Sequence, residues 1–489
     1  MRRAGLRLLI PVVLALLGSL PATGCATNPA TGQRQFSLMS EEQEIQIGQQ
    51  NDVEVRKAMG VYDDPALQQY VERIGMQLAR VSERPGLPWH FTVLDVPAVN
   101  AFALPGGFIY ITRGILPYLD SEAQLAGVLG HEIGHVTARH AAQQYTRSAG
   151  TQLGLVLGSI FVPQTRPFVD AASSALGLLF LKYSRDDELQ ADQLGVRYAS
   201  RAGWDPTGVP ELLTTLGRIQ DATDDRGVPN WLQTHPQPAD RVQKVHGVVQ
   251  DVEQANPGRR WTVDRSPYLQ RVDGIVYGDN PKEGIVRGSA FLHPALRFTV
   301  RFPDGWPVQN GTQQVVAKAP DADRYVFLQA VDRAGAGDLD AIAARSMRGA
   351  GFREVDGAAT TINGLPAYLG TYNGSLQNFG TTRMRAAYVR NGDAVYLLAG
   401  FAAPDAFAAS IETFDRSIHS FERLTAEEAA RIQPNRIRLY TVRPGDSWAS
   451  IAGGPGAGIV PPSTLAIMND HAAADEPRAG EQIKIVVIG

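Results

Sequence analysis

The chain has 489 residues, with 46 Lys and Arg against 50 Asp and Glu and a formal net charge of −4. At about 150 residues per domain that length predicts about three domains, and 44% hydrophobic with 20% charged residues predicts ordinary packed cores. The near balance of charge, without any run of one sign, excludes a nucleic-acid partner, which needs a clustered basic surface, and excludes acidic or basic tails.

Arg2, Arg3 and Arg7 precede an almost wholly apolar run, Leu8 to Leu20. The small residues Ala22, Thr23 and Gly24 then lead to Cys25, the one cysteine in the chain. The run is too short to cross a bilayer comfortably, which favours a cleaved signal over residues 1–24 rather than a membrane anchor. A Cys directly after small residues resembles a bacterial lipobox, with Cys25 as the lipidation site; a plain signal peptide with an incidental Cys is the rival. A chain with no other thiol suits an oxidising compartment. Together these features predict a periplasmic lipoprotein. Ala26, rather than Asp, after Cys25 points to the outer membrane by the sorting rule of such proteins. Residues 25–40, rich in Thr, Asn, Gly, Gln and Ser, read as a lipid-anchored tether.

Ser40 followed by Glu41, Glu42 and Gln43 is an N-cap signature and predicts a helix towards Ala58. A second helix fits Pro65 to Val81. Trp89 to Leu94 and Gly107 to Thr112 read as strands, punctuated by Pro97 and Pro105-Gly106-Gly107. A helix capped by Ser121 is predicted to run to about Tyr145. The small-and-apolar stretches 152–162 and 171–181 are too short to span a membrane, so core helices or a hairpin compete with shallow membrane contact. Helices over 184–202, 206–221 and 238–254 complete a mostly helical domain, residues 41–256.

Beyond Pro257 the pattern changes. Short alternating runs (Arg297 to Phe302, Tyr325 to Val331, Arg383 to Val389, Ala394 to Phe401) and two helices make residues 285–424 an α+β module without a catalytic cluster. Its Phe302-Pro303-Asp304-Gly305-Trp306 turn resembles modules of the PsbP/Mog1 type. In residues 438–487, Tyr440 to Trp448, then Ala449 to Ala452, Leu465, Met468-Asn469 and Ala479 to Ile485 give the order strand, turn, short helix, Asn, Gly turn, strand. That order resembles a LysM domain, whose βααβ fold and glycan binding imply contact with peptidoglycan.

One motif carries chemistry: His131-Glu132-Ile133-Gly134-His135, inside the helix capped by Ser121. Residues four apart on a helix share a face, so the two imidazoles can hold one zinc ion with Glu132 beside them as base for the water it binds. A helix with two surface histidines is the bland alternative. Downstream, Glu188 and Asp192 are also four apart. Glu188 could complete a His₂Glu site while Asp192 orients a ligand imidazole; Asp186 and Asp187 compete for the third position, although a solvated acidic helix start explains those two well. His140, nine residues after His131, is out of phase with the ligand face and reads as structural.

The HEIGH helix, Glu188-x-x-Ala191-Asp192 and Asn100 to Gly107, in this order, resemble zinc metallopeptidases of the CaaX prenyl protease/HtpX class over about residues 35–255. Within it the soluble periplasmic branch of BepA-like lipoproteins is the nearest pattern. The resemblance implies a gluzincin-type, mainly α domain with a small β-sheet and one zinc per chain on His131, His135 and Glu188, with Glu132 as catalytic base. It also implies that the His235 loop lies close to the metal, so that His235 either fills a fourth zinc position at rest or stabilises the oxyanion. It further implies that the strand from Gly107, through Ile109 and Ile111, with Asn100 nearby, is an edge that pairs with substrate. The helical repeats common in that branch are absent here. The expectation is a multidomain zinc endopeptidase acting on unfolded or misassembled envelope proteins. A wall-associated chaperone or scaffold with little proteolysis, or a peptidoglycan hydrolase, are the other readings.

Overall fold

A computed structural model of the chain describes residues 26–35, 37–151, 183–222, 231, 235, 240–311, 314–331, 337–376 and 379–489. The signal segment with Cys25 and the apolar stretches 152–162 and 171–181 lie outside the described residues. Among those described, no helix is long and apolar enough to cross a membrane.

Strands β1 (Ala26–Thr27) and β2 (Arg34–Gln35) pair as a small antiparallel hairpin. Asn28 and Met39 are buried, Asn28 Nδ2 donates to the Ala138 carbonyl at 3.0 Å, and the Leu38 N–H donates to Thr146 Oγ1 at 3.1 Å. The segment after Cys25 is therefore packed on the body of the protein, which corrects the tether reading: Thr, Asn and Ser serve its own turns as readily as solvent.

Helix α1 (Glu41–Met59) starts at a capping box between Ser40 and Gln43, and α2 (Pro65–Arg80) starts at Asp64 with Pro at its first position. Three strands follow, β3 (His90–Leu94), β4 (Ala101–Leu104) and β5 (Phe108–Thr112), in the spatial order β3-β5-β4. Helix α3 (Glu122–Thr137) is capped by Ser121 and buried along its whole length. The expected single helix to Tyr145 is broken at Arg139, where φ is 58°, and a second helix, α4 (His140–Thr151), resumes. The left-handed residue is held by its own side chain, which bonds Glu44 Oε1 and the Met39 carbonyl, a tertiary partnership with no local signal.

Helix α5 (Arg185–Ala202) opens with a Ser184–Asp187 capping box and ends at Gly203 in the left-handed region. It lies hard against α3: a Cβ on Gly130 would stand 3.1 Å from Gly195 Cα, and one on Gly195 would stand 3.0 Å from the His131 nitrogen. Helices α6 (Gly208–Ala222), α7 (Arg241–Ala255) and α8 (Arg265–Val272) close the core.

The middle of the chain is a seven-stranded antiparallel sheet whose inner strands include β12 (Tyr325–Val331), β15 (Gly380–Asn391) and β16 (Ala394–Ala402). Alternation along β12 sends Val326 and Leu328 to one face, under Phe407 and Phe414 of a helix over Pro404–His419. Tyr325 and Phe327 go to the other face, under Ile342 and Met347 of a helix over Leu339–Gly349. Several further short strands make this region β-rich.

The last segment runs strand, helix, helix, strand: β18 (Asn435–Thr441), α12 (Trp448–Gly453), α13 (Pro462–Met468) and β19 (Gln482–Ile488). β18 pairs with β19 and with β6 (Val276–Tyr277), which follows α8. Its core residues Trp448, Leu465 and Ile483 belong to the same apolar cluster as Leu213, Leu216 and Tyr268. The first and last segments thus share one core across the intervening module.

Close helix approach leaves a testable mark. A Cβ on Gly208 would lie 2.3 Å from the Ala123 carbonyl oxygen, backbone that cannot step aside. Gly208→Ala is expected to destabilise the helical part by about 1–3 kcal/mol, read as a shifted urea midpoint; an unshifted midpoint would mean that α3 and α6 can separate freely.

Candidate metal centre

Helices α3 and α5 face each other with two chemistry-bearing residues apiece, each pair one turn apart. One ligand atom each from His131, His135, Glu188 and His235 lies within 4.8 Å of all the others, and all four residues are buried. His131 Nε2 is 3.0 Å from His135 Nε2 and 3.3 Å from His235 Nδ1. Glu188 Oε1 is 2.9 Å from His235 Nδ1 and 3.4 Å from His135 Nε2, while its Oε2 is 3.6 Å from His131 Nε2.

The surrounding hydrogen bonds fix which ring nitrogens carry protons. Asp192 Oδ1 lies 2.9 Å from His131 Nδ1, so that nitrogen donates and Nε2 is left with a lone pair. On His135 the same is done by a histidine: its Nδ1 is 2.9 Å from His140 Nδ1, and His140 Nε2 is 2.9 Å from Gln190 Oε1. Since the amide oxygen can only accept, His140 donates from Nε2 and accepts the proton of His135 Nδ1. Two Nε2 lone pairs then face each other at 3.0 Å, an arrangement that repels unless a cation sits between them. Bonds of about 2.0–2.1 Å in tetrahedral zinc set neighbouring ligand atoms about 3.3 Å apart, close to the separations found here. The donor set, three imidazoles and a carboxylate, fits zinc.

Electrostatics supports the same arrangement. Burial, reinforced by His131 and His140 nearby, pushes His135 well below its ordinary pKa, keeping it neutral as a ligand must be. Burial would raise Glu188 and Asp192, but the cationic groups beside them outweigh it and both are lowered. The chief cation for Asp192 is Arg241, whose Nε and Nη2 bond its two oxygens at 2.6 and 2.8 Å; Arg241 Nη1 also lies 3.1 Å from Glu188 Oε2. Glu132 is different. Both its oxygens are buried with no hydrogen-bond partner within bonding geometry among the described residues; His235 Nε2 lies 3.7 Å from Oε1, the Trp231 side chain is also beside it, and burial raises its pKa.

The structure brings His131, Glu132, His135, Glu188, Asp192 and His235 into one site. Asp186 is exposed and Asp187 serves the α5 cap, so neither joins the cluster. The expected substrate strand needs correction. Ile109 and Ile111 lie on β5, which is the central strand, paired on one side with Phe91 and Val93 of β3 and on the other with Ala103 and Ala101 of β4. Neither they nor Gly107, which leads into β5, can offer an edge. The free edge next to the metal helix belongs to β4, whose Ala103 and Leu104 border the same small cavity as His135 and Tyr183. Asn100 immediately precedes β4, with its side-chain oxygen buried and without a hydrogen-bond partner among the described residues.

Four residues escaped the sequence reading as parts of the site. Arg241 carries no local signal, standing six residues beyond His235. Trp231 stacks on His235 with ring centres 4.7 Å apart, and Tyr183 stacks on His135 at 4.0 Å; neither has a spacing that could have revealed it. His140 is out of phase with the ligands, as its position predicts, yet the break at Arg139 turns it back onto His135. On this geometry His140→Ala is expected to weaken zinc binding about 10–100-fold, measured by competition with a chelator, with Asp186→Ala unchanged. Equal affinity in both variants would remove His140 from the site.

Comparison with known proteins agrees with this centre. The profile of Peptidase family M48 matches residues 65–249. The beta-barrel assembly-enhancing protease of Escherichia coli (strain K12) is 32% identical over 229 residues, covering 45% of this chain and 47% of that protein. The mitochondrial metalloendopeptidase OMA1 of Arabidopsis thaliana is 35% identical over 187 residues, 38% of this chain and 36% of that one. The matched part is thus less than half the length of either relative. Among solved structures, cyanobacterial PsbP of Synechocystis aligns over 31% of this chain and 93% of its own at 14% identity, with a TM-score of 0.22, too slight a likeness to define a fold. M48 metallopeptidases use zinc, and the buried His–His–Glu–His cluster falls inside the matched span. Over residues 65–249, the span that holds the cluster, this chain is similar to peptidase family M48.

Proposed function

We propose that the protein is a zinc-dependent endopeptidase of the bacterial periplasm that hydrolyses unfolded or misassembled envelope proteins. The observation that carries this reading is a buried Glu132 that makes no hydrogen bond among the described residues, set beside a zinc-type donor cluster inside the span similar to peptidase family M48. His131, His135 and Glu188 would hold the ion. Zinc, when bound, supplies Lewis acidity towards the scissile carbonyl and the attacking water. Glu132 accepts the proton of that water and delivers it to the leaving amine. Asp192 and His140 hold the ligand rings in the tautomers described above, with Arg241 keeping Asp192 charged.

His235 stands between the ligand atoms and Glu132, so it fills a fourth position at rest and must leave for a peptide to enter. In β4, the bond from Thr112 N–H to the Asn100 carbonyl and the antiparallel register turn the backbone groups of Ala101 and Ala103 outward. Substrate pairing along them reads main chain rather than side chains, which suits unfolded clients of varied sequence. The export signal and Cys25 support lipid anchoring, to the outer membrane by the residue after Cys25. The name of the Escherichia coli relative, an enhancer of β-barrel assembly, agrees with envelope clients. The terminal βααβ segment is read as LysM-like, with peptidoglycan contact through its exposed side. A scaffold without proteolysis leaves the buried cluster without a use.

The test is cleavage of casein by the zinc-loaded chain starting after Cys25, against its Glu132→Gln partner. Cleavage by the first with at least about 10³-fold less by the second is expected; equal rates would overturn the reading. In His235→Ala, faster cleavage is expected from a displaced fourth ligand, and slower cleavage would make His235 an oxyanion stabiliser instead.

A further inference from the structure

The mechanism above makes no use of the most deeply buried lysine among the described residues. Lys484, in β19 of the terminal segment, has no exposed surface. Its ammonium donates to the Leu119 carbonyl and lies 3.2 Å from Asp120 Oδ1. Its own backbone is held on both sides, its N–H donating to Asn469 Oδ1 at 2.7 Å and its carbonyl accepting from Asn469 Nδ2 at 2.9 Å. A lysine is almost never fully buried unless paired. A cation beside a helix N-terminus is also opposed by the helix dipole, so this placement is not a generic helix-end effect.

Leu119 and Asp120 immediately precede Ser121, the cap of α3. The same two residues collect further bonds. Arg265 of α8 grips Asp120 and reaches the Gln482 carbonyl of β19 at 2.9 Å, and the Asp120 N–H donates to Gln124 Oε1 at 2.7 Å. Elsewhere on the contact, Arg218 of α6 pairs with Asp470 of the terminal segment at 2.9 Å, and the Gly274 N–H donates to the Ile437 carbonyl at 2.8 Å. From the cap to His131 is about 15 Å along a fully buried helix, so a shift at Asp120 moves the metal ligands with it.

We propose that the terminal βααβ segment is a brace for the metal-bearing helix, with Lys484 as a positioning residue that fixes the start of α3 through Leu119 and Asp120. The segment is then part of the catalytic unit and not detachable from it, whatever its exposed side contacts. The proposal rests on the peptidase reading only in taking α3 as the helix that carries the zinc ligands.

The test uses the full chain after Cys25, with Lys484→Met, Asp120→Asn and the double variant. In Lys484→Met, kcat on casein is expected to fall about 10–100-fold, the range for a small displacement of catalytic groups, with KM within about 2-fold. Amide exchange at residues 122–125, in the first turn of α3, is expected to quicken in the zinc-free protein too. The double variant is expected to be less impaired than the product of the two singles, because each single strands the other charge. A lowered melting temperature with kcat and first-turn exchange unchanged would reduce Lys484 to a packing residue and overturn the proposal. Strictly multiplicative effects in the double variant would overturn it too. If the unaltered chain does not cleave casein, the function reading fails alone, since the exchange measurement still judges the brace.

Discussion

The bonds from Arg241 to Asp192 and Glu188 are the interaction on which the site depends. Three carboxylates, those of Glu132, Glu188 and Asp192, sit in a core where an unpaired charge is very costly. A single guanidinium neutralises one fully and leans on a second. Asp192, so held, stays ionised and accepts the hydrogen bond of His131 Nδ1–H, and that bond decides which nitrogen of His131 faces its partners. Without Arg241 the carboxylate would be stranded and the ring free to present the wrong atom. The carboxylate charge that remains after Arg241 is counted lies beside the facing lone pairs of His131 and His135, which is why the cluster reads as a cation site.

Such a cluster forms only if α3 and α5 come close enough for side chains one turn apart on each to meet. Gly130 and Gly134 on one helix and Gly195 on the other make room for it, each backbone within a few tenths of an ångström of forbidding a methyl group. The small residues were visible in the sequence, but their meaning was not, because a helical glycine is only a weakened helix until its neighbour is known. The chemistry itself was legible. HEIGH and the Glu188–Asp192 pair are local spacings, and helix periodicity alone predicts that each pair shares a face.

What the sequence concealed was non-local. The break at Arg139 depends on Glu44 and Met39, about a hundred residues away, and it turns an out-of-phase histidine into a support for His135. The order β3-β5-β4 puts the later strand in the middle, through a parallel pairing with β3 that no hairpin signal announces, so the strand read as an edge is the central one. The middle module was legible as α+β from its alternation and its two helices, whereas the packing of the two ends was not. Residues 26–40 are polar enough to read as a linker, and the terminal segment reads as a self-contained module.

Those two ends meet the same element. Asn28 closes on the Ala138 carbonyl, just past the last turn of α3, and Lys484 closes on Leu119, just before its first. The helix that carries His131, Glu132 and His135 is thereby gripped at both termini by segments more than four hundred residues apart in sequence. Its middle is pressed against α5, and each of its residues is buried. A metal site built from two turns of one helix and two of another tolerates little sliding between them, since a displacement along α3 moves both imidazoles and the base together relative to Glu188. Clamping the helix at its ends leaves the ligand geometry to the fold as a whole. His235 is the ligand candidate of the cluster that lies on neither helix.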